Sequence, residues 1–142
     1  MKKKLTLSKT RRANFEAAAA MAKLSDFPRV KVGAIAVYKH HIISSGHNTK
    51  KTAPIQKKYN QYRFSDDTPH CVHAEVACLK PLIGRNDIDF KHVDLYIYRS
   101  GKKDTLLLAR PCLSCMQLIK DLGIRSIYYT NENGYSHETI LN

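Results

Sequence analysis

The stretch VKVGAIAVY at residues 30–38 is apolar at nearly every position. A strand without alternation of apolar and polar side chains is typical of a strand that is buried on both faces of a sheet. We therefore predict a central strand with other elements packed on each side. A second strand, IISSG at 42–46, follows so closely that no crossover fits between the two, and the pair should be antiparallel.

Three helices are predicted from apolar periodicity and from the residues at their ends. The first spans about 9–24 and is capped by Ser8. The second begins near Val72, and Pro81 ends or kinks it because proline lacks the amide hydrogen that a helix needs. The third spans 112–123 and stops at its terminal glycine.

Further strands alternate with these helices at 93–98 and 124–130, and the pair 133–134 (Asn-Gly) then turns the chain. Strands that are joined through a helix should be parallel. With the first hairpin added, the pattern predicts an α/β protein, a three-layer α/β/α sandwich around a mixed, five-stranded sheet. The fifth strand is expected either at 106–108 or at 139–141.

Length and composition narrow the class of protein. The 142 residues suit a single domain over residues 1–142, and 43% hydrophobic with 25% charged residues is ordinary for a soluble globular protein. No apolar run approaches the roughly 20 residues of a membrane span. The basic start, MKKK, is not followed by the apolar stretch of a signal peptide. We expect a cytoplasmic protein with no membrane partner, and a homo-oligomer is compatible with these features.

The formal net charge is +12, from 24 basic and 12 acidic residues. Such an excess attracts polyanions, either a nucleotide or a nucleic-acid substrate, unless it only keeps the surface solvated. The poorly periodic segment 48–70 raises the same question, because a loop this long in a compact domain is usually functional. Its cations and aromatic rings suit phosphates and unstacked bases, or they form a solvated lid. The residues concerned are Lys50, Lys51, Lys57, Lys58, Arg63, Tyr59, Tyr62 and Phe64.

Two short motifs carry metal-binding side chains, His73-Ala74-Glu75 and Pro111-Cys112-Leu113-Ser114-Cys115. Cys112 and Cys115 lie three residues apart at the start of a predicted helix, so their sulfurs share a face near the positive end of the helix dipole, which stabilises thiolate. One histidine and two cysteines give zinc three protein ligands. The fourth position then remains open for water, as in catalytic zinc sites.

Helical periodicity does not by itself bring Glu75 to this metal. Glu75 follows His73 by two residues, which on an ideal helix would point the two side chains about 200° apart. Placement in the first turn, with a flexible side chain, makes a shared site feasible.

The combined pattern, H-x-E followed by P-C-x-x-C, is the signature of the zinc-dependent nucleobase deaminases. The sequence resembles the cytidine/deoxycytidylate deaminase superfamily over most of its length. The stretches 32–35 (VGAI) and 45–48 (SGHN) resemble the first two strands of that family and the Asn after them. The resemblance implies a cytidine deaminase-like fold, a mixed five-stranded sheet between helices.

The resemblance also implies roles for residues. One Zn²⁺ per chain would be held by His73, Cys112 and Cys115, and Glu75 would move protons from the activated water to the ring nitrogen and to departing ammonia. Asn48 matches an Asn that contacts substrate, and a main-chain carbonyl near Arg110 would hold the exocyclic amine. The expected substrate-binding residues are Asn48, Ala74, Arg110 and Pro111.

Two departures from the family pattern put the substrate in question and indicate a divergent branch. Position 77 is Ala where deoxycytidylate deaminases often have Asn, and the stretch before Pro111 is longer than usual, with GKK at 101–103 inside it. Analogy favours cytosine over adenine. Charge favours a phosphorylated nucleotide, since several cations fall in segments that could border the site: Arg29, Lys31, Lys50, Lys51 and Arg110.

Three other functions stay open at this point. The first is deamination of a polynucleotide, whether DNA, RNA or tRNA. The second is a zinc-bearing nucleic-acid-binding module without catalysis. The third is a structural zinc site closed by a fourth protein ligand such as His70 or Cys71, in which Glu75 would have no purpose.

Overall fold

A computed structural model describes residues 7–52, 54–61 and 71–140. The α-helices are α1 (Lys9–Ala22), α2 (Pro54–Asn60), α3 (Ala74–Leu79) and α4 (Leu113–Leu122). The strands are β1 (Lys31–Tyr38), β2 (His41–His47), β3 (Thr49–Thr52), β4 (Cys71–Val72), β5 (Val93–Ser100), β6 (Ser126–Asn131) and β7 (Gly134–Thr139). Within the described part of the chain, no helix has the length and apolar character needed to cross a membrane.

The main sheet has five strands in the order β2-β1-β5-β6-β7. Only β5 and β6, the neighbours joined through α4, are parallel, and all other neighbouring pairs are antiparallel. This confirms the predicted mixed sheet with its antiparallel first hairpin. Strands β3 and β4 form a separate two-stranded sheet.

The fifth strand is β7, which neither predicted segment anticipates. Leu106 makes only an isolated bridge to Ser100, and Thr139 is the last residue of β7 rather than the start of a strand. The strand begins at Gly134, directly after a two-residue turn that pairs Asn131 with Gly134. Because β7 is an edge strand, it lacks the apolar run by which a buried strand is identified.

Helices cover both faces of the sheet, which confirms the three-layer architecture. On one face, Phe15 and Ala18 of α1 pack against Ile35 and against two tyrosines of β5 and β6. On the other face, α2, α3 and α4 pack on a larger core that includes Ala34 and Ala36. Consecutive residues of β1 therefore point into opposite cores, as predicted for a central strand.

Helix α3 begins at Ala74, two residues later than predicted. Val72 is instead paired with Thr49 in the two-stranded sheet, so the chain is still extended there. Pro81 ends the helix as expected, because it lies in a 3₁₀ turn, Lys80–Leu82, that directly follows α3.

The segment 48–70 is not a continuous loop, and that prediction is wrong for its first half. It forms β3 and α2, and Tyr59 of α2 donates a hydrogen bond to Asp121 of α4 at 2.9 Å. The buried positions of α2 include Gln56 and Asn60, so its inner face lacks the apolar periodicity that predicts a helix. Residues 62–70, with Arg63 and two of the aromatic residues, lie outside the described part of the chain.

Gly46 lets β2 and α3 approach at backbone distance. A methyl group on Gly46 would lie 2.5 Å from the amide nitrogen of Cys78 and 2.8 Å from the carbonyl oxygen of Ala74. We expect Gly46→Ala to displace α3 and lower the free energy of unfolding by about 1–3 kcal/mol, the usual cost of overpacking. Urea unfolding measures this, with exposed Ser45→Ala as the control. An unchanged midpoint for Gly46→Ala would contradict the close packing.

Candidate metal centre and its cleft

His73 is the N-cap of α3 and has extended backbone angles, φ −78° and ψ 155°. Its backbone N–H donates a hydrogen bond to Oε1 of Gln56 at 3.0 Å, and Nε2 of Gln56 donates to Oδ1 of Asn60 at 2.8 Å. Gln56 is fully buried. The polar inner face of α2 thus holds the backbone of the histidine, a role the sequence analysis missed because nothing near Gln56 marks it as buried.

The two cysteines of the second motif lie at the start of α4, with Cys112 as its N-cap and Cys115 in the first turn. Nδ1 of His73 is 3.6 Å from Sγ of Cys112 and 3.3 Å from Sγ of Cys115. The three ligand atoms all lie within 4.8 Å of one another, so they are positioned to bind one metal ion. The fold thus brings the three predicted metal ligands together, although Cys112 and Cys115 lie 39 and 42 residues after His73 in the sequence.

The geometry and chemistry of this group fit zinc. Zinc binds a histidine nitrogen at about 2.0–2.1 Å and a thiolate at about 2.3 Å, so ligand atoms in a tetrahedral site lie roughly 3.5 Å apart. The two nitrogen–sulfur distances, 3.6 Å and 3.3 Å, lie on either side of that value. Among the described side chains, no further histidine, cysteine or carboxylate joins the group as a fourth ligand. His70 and the side chain of Cys71, the alternative fourth ligands, lie outside that set.

The two thiols differ in acidity. A hydrogen bond from Cys115, with further ones from His73 and Ser114, lowers the pKa of Cys112 to about 3, although burial opposes this. The pKa of Cys115 is raised well above its usual value, first by that same hydrogen bond and then by burial. The pair therefore favours a single negative charge next to His73. A bound cation would displace the remaining proton and neutralise both thiolates.

Glu75 is buried at the same place. It is the second residue of α3, only 6% exposed, and it shares a hydrogen bond with Cys115. Burial raises the pKa of its carboxyl, and interaction with His73 opposes that shift. Because His73 is an extended N-cap rather than a helical residue, the 200° separation of an ideal helix does not apply to the pair.

A cleft of about 460 Å³ opens onto this group. Over the described residues its walls are largely apolar, and they include one carboxylate and two guanidinium groups. The lining residues are Phe27, Val30, Val32, Asn48, Val72, His73, Ala74, Glu75, Arg99, Leu108, Ala109, Arg110 and Cys112. Of the predicted substrate-binding residues, Asn48, Ala74 and Arg110 line the cleft, whereas Pro111 is buried and is not in the lining. The cations expected to border the site at 29, 31, 50 and 51 are not in the lining.

Asn48 lines the cleft, and two hydrogen bonds hold its side chain. Its Oδ1 accepts a hydrogen bond from the amide of Val32 at 2.9 Å, and its Nδ2 donates to the carbonyl of Val30 at 3.1 Å. Val32 is in β1 and Val30 directly precedes it, so the two contacts fix the orientation of the side-chain amide. An amide has two N–H donors, so one remains for a ligand. Its contact with substrate stays a prediction.

Arg110 forms a bidentate ion pair with Glu138 of β7. Its Nε donates to Oε2 at 2.7 Å and its Nη2 donates to Oε1 at 3.2 Å, and the hydroxyl of Tyr129 also donates to Oε2. The charge of Arg110 is therefore compensated within the protein. This partner lies 28 residues away in sequence, in the strand that the sequence analysis did not identify.

Comparison with known proteins identifies a matching family and similar folds. Residues 8–131 match the family model described as the cytidine and deoxycytidylate deaminase zinc-binding region. The dCMP deaminase of cyanophage S-TIM5, in apo form, has a TM-score of 0.63 at 23% identity, covering 89% of this chain and 86% of the other. A cytidine deaminase from Burkholderia pseudomallei has a TM-score of 0.64 at 17% identity, covering 94% of both chains.

At these identities the two structures establish the fold, which is the predicted one. A search among curated proteins finds no significant match. The matched zinc-binding region contains both motifs, in agreement with the assignment of His73, Cys112 and Cys115 as the ligands of one zinc ion.

Proposed function

This chain belongs to the cytidine and deoxycytidylate deaminase family, and we propose that it hydrolytically deaminates the cytosine base of a phosphorylated nucleotide. The observation that carries the proposal is the convergence of a zinc ligand set and one buried carboxylate, Glu75, at the inner end of an apolar cleft. A structural zinc site would have no use for that carboxylate. A catalytic site needs it as the group that moves protons.

In this mechanism the zinc ion, when bound, supplies a water of lowered pKa. Glu75 would carry two protons in turn, one from the attacking water to the ring nitrogen and a second from the newly added hydroxyl to the amino group, which leaves as ammonia. The amino-bearing carbon gains an oxygen and loses ammonia, so cytosine becomes uracil. The apolar walls formed by Val30, Val32 and Val72 hold the ring and exclude other water. We expect the amide of Asn48, which lines the cleft, to orient the sugar of the substrate.

The choice of cytosine rests on the family and its structures. The family description names cytidine and deoxycytidylate, and the cyanophage S-TIM5 enzyme has been solved with dCMP and dUMP. A cleft of about 460 Å³ has the size of a small-molecule site. The choice of a phosphorylated substrate rests on charge, because Arg99 lines the cleft, and Glu75 is the one carboxylate among the described lining residues.

The substrate proposal is tested by ammonia release at equal concentrations of cytidine, CMP, dCMP, AMP and a cytosine-containing single strand. We expect kcat/KM for a cytosine monophosphate to exceed that for cytidine by at least about tenfold, the gain from one charge-assisted contact with the phosphate. Faster turnover of cytidine would contradict the phosphate argument. Turnover of AMP would contradict the choice of base.

Deamination of a polynucleotide is the second candidate, favoured by the net charge of +12 and by exposed lysines on β3 and α2. The lysines concerned are Lys50, Lys51, Lys57 and Lys58. They do not line the cleft, so we place this function second. In the comparison above, turnover of the single strand alone would reverse that order. Binding should then weaken steeply with salt, as phosphate contacts release counterions.

A further inference from the structure

Among the described residues, two arginines line the cleft, and they differ in how their charge is compensated. Arg110 is paired with Glu138. Arg99 has one hydrogen bond from its guanidinium, Nη1 to the carbonyl of Leu108 at 3.0 Å. Its Nε is buried and has no hydrogen-bond partner among the residues that the structure describes. A buried, charged donor without an acceptor is costly, so the guanidinium of Arg99 is less well satisfied within the protein than that of Arg110.

Two other arginines on the surface differ from Arg99 in the same way, because each has an acidic partner. Arg85 pairs with Asp87, and Arg125 pairs with Asp94. For Arg99, no carboxylate lies within ion-pair distance over residues 7–52, 54–61 and 71–140. A half-buried arginine that served only to stabilise the fold would be expected to have an acidic partner or a full set of carbonyl acceptors.

The backbone holds Arg99 firmly at the wall of the cleft. Arg99 is near the end of β5, and its amide donates to Oγ1 of Thr130 in the neighbouring strand at 3.0 Å. Its carbonyl accepts from the amide of Leu107 at 3.0 Å, and Thr130 Oγ1 donates to the carbonyl of Leu107 at 2.8 Å. The segment that supplies Leu108 is thereby tied to the same two strands, and the guanidinium is preorganised.

We propose that Arg99 binds the phosphate of the substrate and determines selectivity for nucleotides over nucleosides. This rests on the proposed function, in which the base lies against Glu75 at the inner end of the cleft and the rest of the substrate extends outward. A planar guanidinium matches a phosphate with paired donors, whereas a neutral nucleoside offers it no anion. Among the described residues that line the cleft, Glu75 is the one carboxylate, and it is used at the metal end.

The test compares Arg99→Gln with the parent and with Arg85→Gln, a control that removes one exposed arginine outside the cleft lining. All are assayed as zinc-loaded protein on dCMP and on cytidine, and their binding of dUMP and uridine is measured by calorimetry. Arg99→Gln should lose about 10- to 100-fold in kcat/KM for dCMP and in affinity for dUMP. Its kcat/KM for cytidine should stay within about twofold of the parent, and Arg85→Gln should match the parent on every ligand.

Arg99→Lys keeps the charge and loses the paired donors, so it should show a smaller loss, again confined to the phosphorylated ligands. It also serves as the test if Arg99→Gln melts well below the parent. Equal losses on dCMP and cytidine would overturn the proposal, because they indicate a structural role. An unchanged preference for dCMP in Arg99→Gln would overturn it too, while leaving the proposed function standing. If the parent itself shows no preference for dCMP over cytidine, the proposed substrate and the role of Arg99 both fail.

Discussion

Replacing Glu75 by Gln is expected to lower deamination by about two to four orders of magnitude while zinc content and fold stay intact. Gln has nearly the same size but cannot take a proton from water and return it, and positioned acid–base groups typically contribute a rate factor of that size. The side chain is almost fully buried at the inner end of the cleft, so bulk water cannot replace it there. Steady-state ammonia release measures the loss.

The control for this experiment is Glu16→Gln, which removes an exposed carboxylate from α1. Metal analysis and thermal unfolding should give parent values for both variants, since Glu75 is not among the three ligands. If Glu75→Gln loses its zinc, the carboxylate is a ligand and the site is closed rather than catalytic. If it keeps parent activity, another group moves the protons.

The parts of the fold that sequence predicted are those in which a residue's neighbours along the chain determine its environment. The stretch 30–38 has no alternation because helices cover both faces of β1, and the structure confirms this. Gly123 adopts φ +83°, which explains why it ends α4. The spacing of Cys112 and Cys115 placed both sulfurs at one helix start, as observed.

The parts that sequence did not predict depend on contacts between distant residues or on polar burial. Gln56 is buried because it satisfies the backbone of His73, 17 residues away, and a polar residue in a short helix gives no sign of that. Glu138 neutralises Arg110 from an edge strand whose apolar pattern is too weak to identify. The orientation of Glu75 depends on the extended N-cap, which periodicity cannot supply.

Replacing Cys115 by Ala is expected to abolish stoichiometric zinc binding and to lower the melting temperature. Its sulfur is fully buried and lies 3.3 Å from Nδ1 of His73, so the substitution removes one of three protein ligands. A ligand present at a hundredfold excess over its Kd stabilises the folded state by about 2.7 kcal/mol. For a chain of this size that is roughly 5–10 °C in melting temperature.

The matched control is Cys78→Ala, because Cys78 is an equally buried thiol in α3 that is not part of the ligand group. Burial raises the pKa of Cys78 to about 12, so it remains a protonated core residue rather than a thiolate ligand. Cys78→Ala should lose some packing energy but keep about one zinc per chain, and a chelator should lower its melting temperature as it does for the parent. Cys115→Ala should be insensitive to the chelator. Full zinc content in Cys115→Ala, or loss of zinc in Cys78→Ala, would refute the ligand assignment.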